Sequence, residues 1–234
     1  MEVLKQPHSE SHKSHRGGWL RASVLGVNDG LVSNASLMLG VFAASSGSGA
    51  VLTTGIAGLA AGAFSMAVGE YVSVSSQKDS EMSDIDIEKK SLAENPESEL
   101  EELAWIYEQR GLDPTMARAV AEKLHEKDAV RAHARDELGI DNNVLARPTQ
   151  AAVASALSFS AGALIPIIAA MLASGVGGAW TITITSLVAL AISGAIGAVI
   201  GGGNKLRAAL RVLLGGGLAM LATYYIGHII GAAL

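Results

Sequence analysis

Asp29 is a charged residue in an otherwise uncharged surrounding. It lies in GVNDGLVSNASLMLGVFAA, residues 26–44, where every other residue is apolar, small or uncharged. A carboxylate in hydrocarbon costs about 3 kcal/mol even on the most lenient insertion scale. We therefore expect Asp29 to bind a metal ion or a proton, with a structural hydrogen bond as the simpler alternative.

A second acidic residue of this kind is Glu70 in GAFSMAVGEYVSVSSQ, and Met66 precedes it by one helical turn. The segments that carry Asp29 and Glu70 are joined by a short Ser/Gly-rich stretch, so antiparallel packing can bring the two carboxylates face to face. Asn28 and Asn34 add amide oxygens. Carboxylates with a thioether suit a divalent transition metal of borderline softness. The sequence predicts such a site, with snorkelling to the interface as the alternative for Glu70.

A third set of candidate ligands lies in an acidic segment, residues 75–148, which holds all but four of the 22 acidic residues. Its candidate ligands fall into three pairs, and the two members of each pair lie on one face of a predicted helix. The pairs are Glu81 with Glu88, Glu99 with Glu102, and His133 with Glu137. Oxygen-rich clusters with one imidazole bind cations such as Fe²⁺, Mn²⁺ or Zn²⁺. The alternative is an acidic helix face exposed to solvent.

Other motifs are weaker. EKLH, with Glu122 and His125, is one half of a di-iron carboxylate motif whose second half is missing, which argues against an oxidase. His8, His12 and His15 form a polar arm that can collect metal. The chain has no cysteine, and we find no phosphate loop or nucleophilic triad. We expect no enzymatic activity, no prosthetic group and, given the acidic segment, no nucleic-acid partner.

The charges are segregated along the chain. Half of the residues are hydrophobic, and between Arg21 and Lys78 only Asp29 and Glu70 are charged. Residues 148–204 carry no charge, and none follows Arg211. This pattern is typical of an integral membrane protein.

The apolar runs predict five membrane spans, since a helix needs about 20 residues to cross the hydrocarbon. The candidates are residues 22–44, 50–74, 149–172, 179–202 and 212–233. Glycine pairs four residues apart predict close helix packing. These pairs are Gly26/Gly30, Gly58/Gly62, Gly197/Gly201 and Gly227/Gly231.

The distribution of Lys and Arg predicts the orientation. Every basic segment falls on one side of the five spans, and the hairpins at 45–49 and 173–178 and the C-terminus carry no charge. We expect a cytoplasmic N-terminal arm (1–20), spans one and two (21–74), a cytoplasmic acidic insert (75–148), and spans three to five (149–234) with an external C-terminus.

Helix signals dominate the insert. SVSSQKDSEMSDIDIEKKSL continues the second span, and NPESELEELAWIYEQRG has Asn95 as N-cap, Pro96 at the first position and Gly111 as terminator. DPTMARAVAEKLHEKD starts in the same way, and AVRAHARDELG closes with Gly139. No strand pattern is present, so we predict an all-α polytopic membrane protein with five transmembrane helices and a helical metal-binding insert.

GWLRASVLGVNDGLVSNASLMLGV, AGAFSMAVGEYVSVSSQKDSE, the acidic insert and DELGI together resemble the vacuolar iron transporter family and its bacterial relatives. The resemblance implies five spans, a homodimer, and export of ferrous iron from the cytoplasm in exchange for protons through a path between spans one and two. By motif, the implied path residues are Asp29, Met66 and Glu70. The implied cytoplasmic metal-binding glutamates are Glu88, Glu99, Glu102 and Glu137.

The sequence departs from the family pattern in the last part of the insert. Plant members carry methionines shortly before the ELG motif, where this chain has RAHARDELG, so His133 takes that place. The histidine-bearing arm and the lack of a long N-terminal extension resemble bacterial members. We therefore expect the inner membrane of a cell.

The residues and the resemblance lead to one hypothesis, a metal/proton antiporter. A carboxylate in the membrane holds either a proton or a metal ion, because either one satisfies its charge. The expected cargo is Fe²⁺, with Mn²⁺ or Zn²⁺ as further candidates. A manganese-selective exporter, a membrane-anchored metal buffer or sensor and, more weakly, a ferroxidase stay open as alternatives.

Overall fold

The computed structural model describes residues 17–44, 47–140, 147–173 and 177–233, and of residues 17–22 the backbone alone. These residues form seven helices and no strand, so the predicted all-α class is confirmed for this part of the chain. The helices are α1 (Gly17–Ala44), α2 (Ser48–Glu94), α3 (Pro96–Gln109), α4 (Pro114–Asp136), α5 (Pro148–Leu172), α6 (Gly177–Gly201) and α7 (Lys205–Ala233). The arm with His8, His12 and His15 lies outside the described residues.

Five of the described helices, α1, α2, α5, α6 and α7, are long and apolar enough to cross a membrane. Helix α2 runs for 47 residues from the apolar segment into the acidic one, as the sequence predicted, because no Gly or Pro interrupts residues 71–94. Helix α7 begins before the apolar stretch. Its first turn is capped by Asn204, whose Oδ1 accepts a hydrogen bond from the backbone N–H of Arg207 at 3.0 Å.

The chain divides into two compact units, Met1–Glu70 with Thr149–Leu234, and Tyr71–Pro148. We call the first the membrane unit and the second the insert. The boundary falls inside α2, which supplies residues to both, four residues before the position expected from the sequence.

Helix α1 lies at the centre of the membrane unit, where it contacts α6 and α7. A Cβ atom added at Gly30 would overlap the backbone carbonyl oxygen of Phe159 in α5, and one added at Gly162 would overlap the carbonyl oxygen of Val27 in α1. The backbones of α1 and α5 therefore touch, as the glycine spacing predicted. Not every predicted glycine is used in this way, since Gly201 has open space around it.

The outer surface of the membrane unit is strongly apolar. Phe64 and Leu172, for example, are 74% and 82% exposed. Such a surface suits lipid or another membrane helix rather than water. Only 11% of the apolar span of α2 is buried within the unit, compared with 44% of that of α1, so α2 offers most of its surface to other partners.

The insert contains the second part of α2 followed by α3 and α4. Helix α3 starts at Pro96 after Asn95, although the Asn95 side chain makes no capping hydrogen bond. It ends before Gly111, whose φ of +99° is a conformation that favours glycine. The small core between α3 and α4 contains Leu103 and Ala121, both fully buried.

Helix α4 consists of two helical segments. Asp113 caps the first, since its carboxylate accepts hydrogen bonds from the backbone N–H groups of Thr115 and Met116, both at 3.1 Å. Asp128 interrupts the helix with φ −171° and ψ 90°, and its carboxylate accepts from the N–H of Arg131 at 3.0 Å. The break agrees with the two helices that the sequence predicted here.

Candidate metal centre

Three carboxylates and one imidazole converge in the insert. Glu88 comes from α2, Glu99 from α3, His133 from α4, and Glu137 directly follows α4. Each residue offers one donor atom, and these atoms lie within 4.8 Å of one another. A single divalent cation can bind side chains arranged at this spacing.

The centre of the group is the Nδ1 atom of His133, a residue with no exposed surface. Glu88 Oε1 lies 3.0 Å from it, Glu137 Oε2 3.1 Å and Glu99 Oε2 3.9 Å. The Glu137 contact is a hydrogen bond, whereas Glu88 Oε1 and His133 Nε2 are buried without any hydrogen-bond partner. Unpartnered buried polar atoms are costly, so the group is suited to bind something with positive charge.

The charges of the cluster repel one another. Burial raises the pKa of the Glu88 carboxyl, and the charge of Glu137 raises it further. Burial likewise raises the pKa of Glu102, followed by the charges of Glu137 and Glu99, so Glu102 lies beside the cluster without belonging to it. A bound cation would neutralise this repulsion.

Asp136 holds the end of α4 against α3. Its carboxylate accepts hydrogen bonds from the Tyr107 hydroxyl at 2.7 Å, from Arg110 Nη1 at 2.8 Å and from Arg135 Nη2 at 2.6 Å. Burial acts to raise the pKa of Asp136, but these hydrogen bonds outweigh it, and the pKa lies well below its ordinary value. These hydrogen bonds fix the Asp136 side chain, which directly precedes the cluster residue Glu137 in the chain.

Glu81 is, after Glu102, a second predicted insert ligand that lies outside the cluster. It accepts a hydrogen bond from Gln77 Nε2 at 2.8 Å and does not belong to the cluster. Seven residues separate it from Glu88 along one helix, which corresponds to about 10 Å at 1.5 Å per residue. That separation is too large for one ion, although both side chains share a face of α2.

His125 lies beside the cluster and was not among the predicted ligands. Its ring centroid is 5.8 Å from that of His133. Burial lowers the pKa of His125, and the neighbouring His133 lowers it further. The only sequence signal was the EKLH motif, which suggested a different chemistry.

A separate cleft of about 310 Å³ lies in the membrane unit, lined by residues of α1, α2 and α5. Its polar and sulfur-bearing side chains are those of Asp29, Ser33, Asn34, Ser65 and Met66. The cleft is therefore lined by Asp29, Asn34 and Met66, three of the five residues predicted to offer donor atoms to a membrane site. Glu70 is half-buried and is not among the lining residues.

The described part of the chain contains five membrane-length helices and a cleft with a carboxylate and a thioether. It also contains a helical insert with a cluster of carboxylates and an imidazole. These features define a multi-pass membrane protein with candidate cation-binding sites. The VIT family model matches residues 20–228, and the chain belongs to that family. The members of this family are transporters, so the protein is a transporter and not an enzyme.

Named relatives agree with this membership. The chain is 48% identical over 231 residues to a vacuolar iron transporter of Acanthamoeba castellanii, covering 94% of this chain and 82% of that protein. It is 41% identical over 214 residues to vacuolar iron transporter homolog 2 of Oryza sativa subsp. japonica, covering 89% of each. The homolog 2 of Arabidopsis thaliana is 36% identical over 232 residues, covering 99% of this chain and 93% of that protein.

Proposed function

We propose that this protein exports Fe²⁺ from the cytoplasm in exchange for protons. One observation carries the proposal: Asp29 and Met66, from two different membrane-length helices, line one cleft inside the membrane unit. The relatives named iron transporters support iron as the cargo. Glu70 extends the path along α2, one helical turn beyond Met66.

Proton coupling follows from the chemistry of a carboxylate in the membrane. Asp29 is costly there as a bare anion and is satisfied by a metal ion or by a proton. A cytoplasmic metal ion displaces the proton, and a proton entering from the other side displaces the metal ion. The thioether of Met66 cannot take up a proton, so it favours the metal-bound state alone.

The insert serves as the cytoplasmic capture site. Glu88, Glu99, His133 and Glu137 form its ligand set, and Glu102 adds negative charge beside it. An imidazole nitrogen among carboxylates favours Fe²⁺ over Mn²⁺ by the general order of divalent-metal affinities. Glu81 contributes to attracting cations and not to this ligand set.

The proposed topology places the N-terminal arm (1–20) and the insert (75–148) in the cytoplasm and the C-terminus outside. Every Lys and Arg then lies on the cytoplasmic side of the five spans. The proposed location is the inner membrane of a cell.

A homodimer is part of the proposal. The span of α2 is only 11% buried within the protomer, and Asp29 is exposed at the surface of α1. A second copy that packs on α1 and α2 would enclose the cleft and shield Asp29 from lipid. The path would then lie near the two-fold axis.

The test is metal flux into proteoliposomes under an imposed pH gradient, with one dye for the metal and another for internal pH. Asp29→Asn should fold normally yet lose Fe²⁺ flux and metal-driven proton movement together. Asp79→Asn, which changes an exposed aspartate of α2 in the insert, is the matched control and should transport normally. Near-normal Fe²⁺ flux with near-normal proton movement in Asp29→Asn would contradict the antiport mechanism.

Two alternatives give different results in the same vesicles. A manganese-selective exporter would carry Mn²⁺ in preference to Fe²⁺. A membrane-anchored buffer or sensor, favoured by the buried cluster of the insert, would bind metal but show no flux with any ion.

A further inference from the structure

Asn34 is a buried polar residue at the meeting point of α1, α2 and α5, with 1% of its surface exposed. Its Nδ2 donates a hydrogen bond to the backbone carbonyl oxygen of Ala163 in α5 at 3.0 Å. A carbonyl oxygen only accepts, so this bond fixes which end of the amide is nitrogen. The side-chain oxygen must therefore point away from Ala163.

The Asn34 oxygen lies over α2 and has no hydrogen-bond partner. A Cβ atom added at Gly58 would be 2.5 Å from Oδ1, so only glycine leaves room for the oxygen in this position. Asn34 and Gly58 both line the cleft that Asp29 and Met66 also line. A buried, unpartnered amide oxygen is costly, and a cation in the cleft would satisfy it.

We infer that Asn34 is a further metal-binding residue of the membrane path, whose amide oxygen coordinates the transported divalent cation in the cleft that Asp29 and Met66 also line. This inference rests on the proposed function, since it assumes that the cation passes through the cleft. The hydrogen bond to Ala163 orients the oxygen and polarises the amide, as a supporting residue does for a metal ligand.

The amide gives the site a property that a second carboxylate would not. An amide oxygen is neutral and takes up no proton at ordinary pH, so Asn34 stabilises the metal-bound state without competing for the exchanged proton. With one carboxylate, the site leaves a divalent ion incompletely neutralised, and the ion can be released again. The oxygen and thioether donors suit Fe²⁺, Mn²⁺ or Co²⁺.

The experiment measures Co²⁺ binding to the full-length protein in lipid nanodiscs, by calorimetry and by the visible absorption of Co²⁺. Glu99→Gln with Glu137→Gln removes the insert site from the parent protein. Asn34→Leu should weaken Co²⁺ binding at least tenfold. Asn34→Asp keeps an oxygen at this position but loses the amide donor, so it should bind Co²⁺ at least as well as the parent.

Gly58→Ala tests the oxygen in a second way, because it leaves the Asn34 side chain chemically unchanged while the added methyl group crowds Oδ1. It should also weaken Co²⁺ binding at least tenfold. Two controls should stay within twofold of the parent. Ser186→Ala removes a buried, unpartnered hydroxyl of α6 outside the cleft, and Gly215→Ala adds a Cβ on α7 where nothing lies within 4 Å.

Parental Co²⁺ affinity in Asn34→Leu or Gly58→Ala would overturn the inference. So would an Asn34→Asp variant as weak as Asn34→Leu, because a residue needed only for its bond to Ala163 would behave in that way. If Asp29→Asn abolishes binding in either of these cases, the proposed function stands without Asn34. If Asp29→Asn instead binds Co²⁺ with the parental affinity, the metal does not bind in the cleft. That result would overturn both the inference about Asn34 and the proposed function.

Discussion

Replacing Glu88 by Gln should have two effects of opposite sign. Glu88 is 6% exposed, its Oε1 lies 3.0 Å from His133 Nδ1, and its pKa is raised by burial and by the charge of Glu137. Gln keeps the size of the side chain and removes its charge. Metal binding to the insert should therefore weaken, while the metal-free insert should become more stable because one repelling charge is gone.

The size of the first effect follows from the geometry. At an effective dielectric constant of about 20, two unit charges 4 Å apart interact by about 4 kcal/mol. Ligand rearrangement and water recover part of this loss, and the amide oxygen can still coordinate. We expect a loss between about 1.4 and about 4 kcal/mol, which corresponds to roughly tenfold to thousandfold weaker binding.

Two measurements on the full-length protein separate the effects. Anaerobic calorimetry with Fe²⁺ gives the affinity, and amide hydrogen exchange of α3 and α4 gives the local stability without metal. The control is Glu101→Gln on α3, where the side chain is 67% exposed and 3.8 Å from Arg118. This control should change the affinity less than twofold and leave the exchange rates as they are.

Unchanged Fe²⁺ affinity in Glu88→Gln would refute the assignment of the cluster as a metal centre. Faster exchange in the metal-free variant would refute the repulsion argument, since it would mean that the Glu88 carboxylate stabilises the empty insert.

Further outcomes are expected for the insert and for the dimer. Asp136→Asn should weaken Fe²⁺ binding severalfold, because Asp136 fixes the end of α4 beside Glu137. Calorimetry should show the lost affinity, and hydrogen exchange should show faster opening of α4. Glu81→Gln should leave the calorimetric affinity unchanged within twofold, and a tenfold loss would place it in the ligand set. Lowering the pH through the raised pKa of Glu88 should release metal at a higher pH than an ordinary glutamate would, as a metal-binding titration against pH can show. The same protonation should raise the hydrogen-exchange protection factors of the metal-free insert, which are corrected for the intrinsic pH dependence of exchange, whereas Asp136, with its lowered pKa, contributes stability that is lost on acidification. Ser65→Cys should cross-link two protomers under mild oxidation if α2 lies at the dimer interface, and a monomer in native lipid would contradict this.

The helices were predictable because their signals are local. Pro96, Gly111 and Asp113 mark helix ends through backbone geometry that needs no distant partner. The apolar runs likewise identified the membrane-length helices by composition alone. The two helical segments on either side of Asp128 were also predicted, since DPTMARAVAEKLHEKD and AVRAHARDELG carry separate helix signals.

The sites were predictable only in part, because their geometry depends on contacts between distant segments. The spacing of Glu81 and Glu88 on one face did not reveal that the cluster takes only Glu88. The position of His125 beside His133 depends on the break inside α4. The direction of the Asn34 oxygen is set by a carbonyl 129 residues away, which no local pattern contains.

The backbone contact between α1 and α5 limits how this gene can vary. Any amino-acid replacement reachable from a glycine codon adds at least a Cβ atom, and at Gly30 and Gly162 that atom would meet backbone rather than a movable side chain. Neither glycine can therefore be replaced by another residue without a change in the distance between the two helices. At Gly215 the same added atom would meet nothing within 4 Å. A library of single substitutions should accordingly recover alanine at Gly215 and lose it at Gly30 and Gly162.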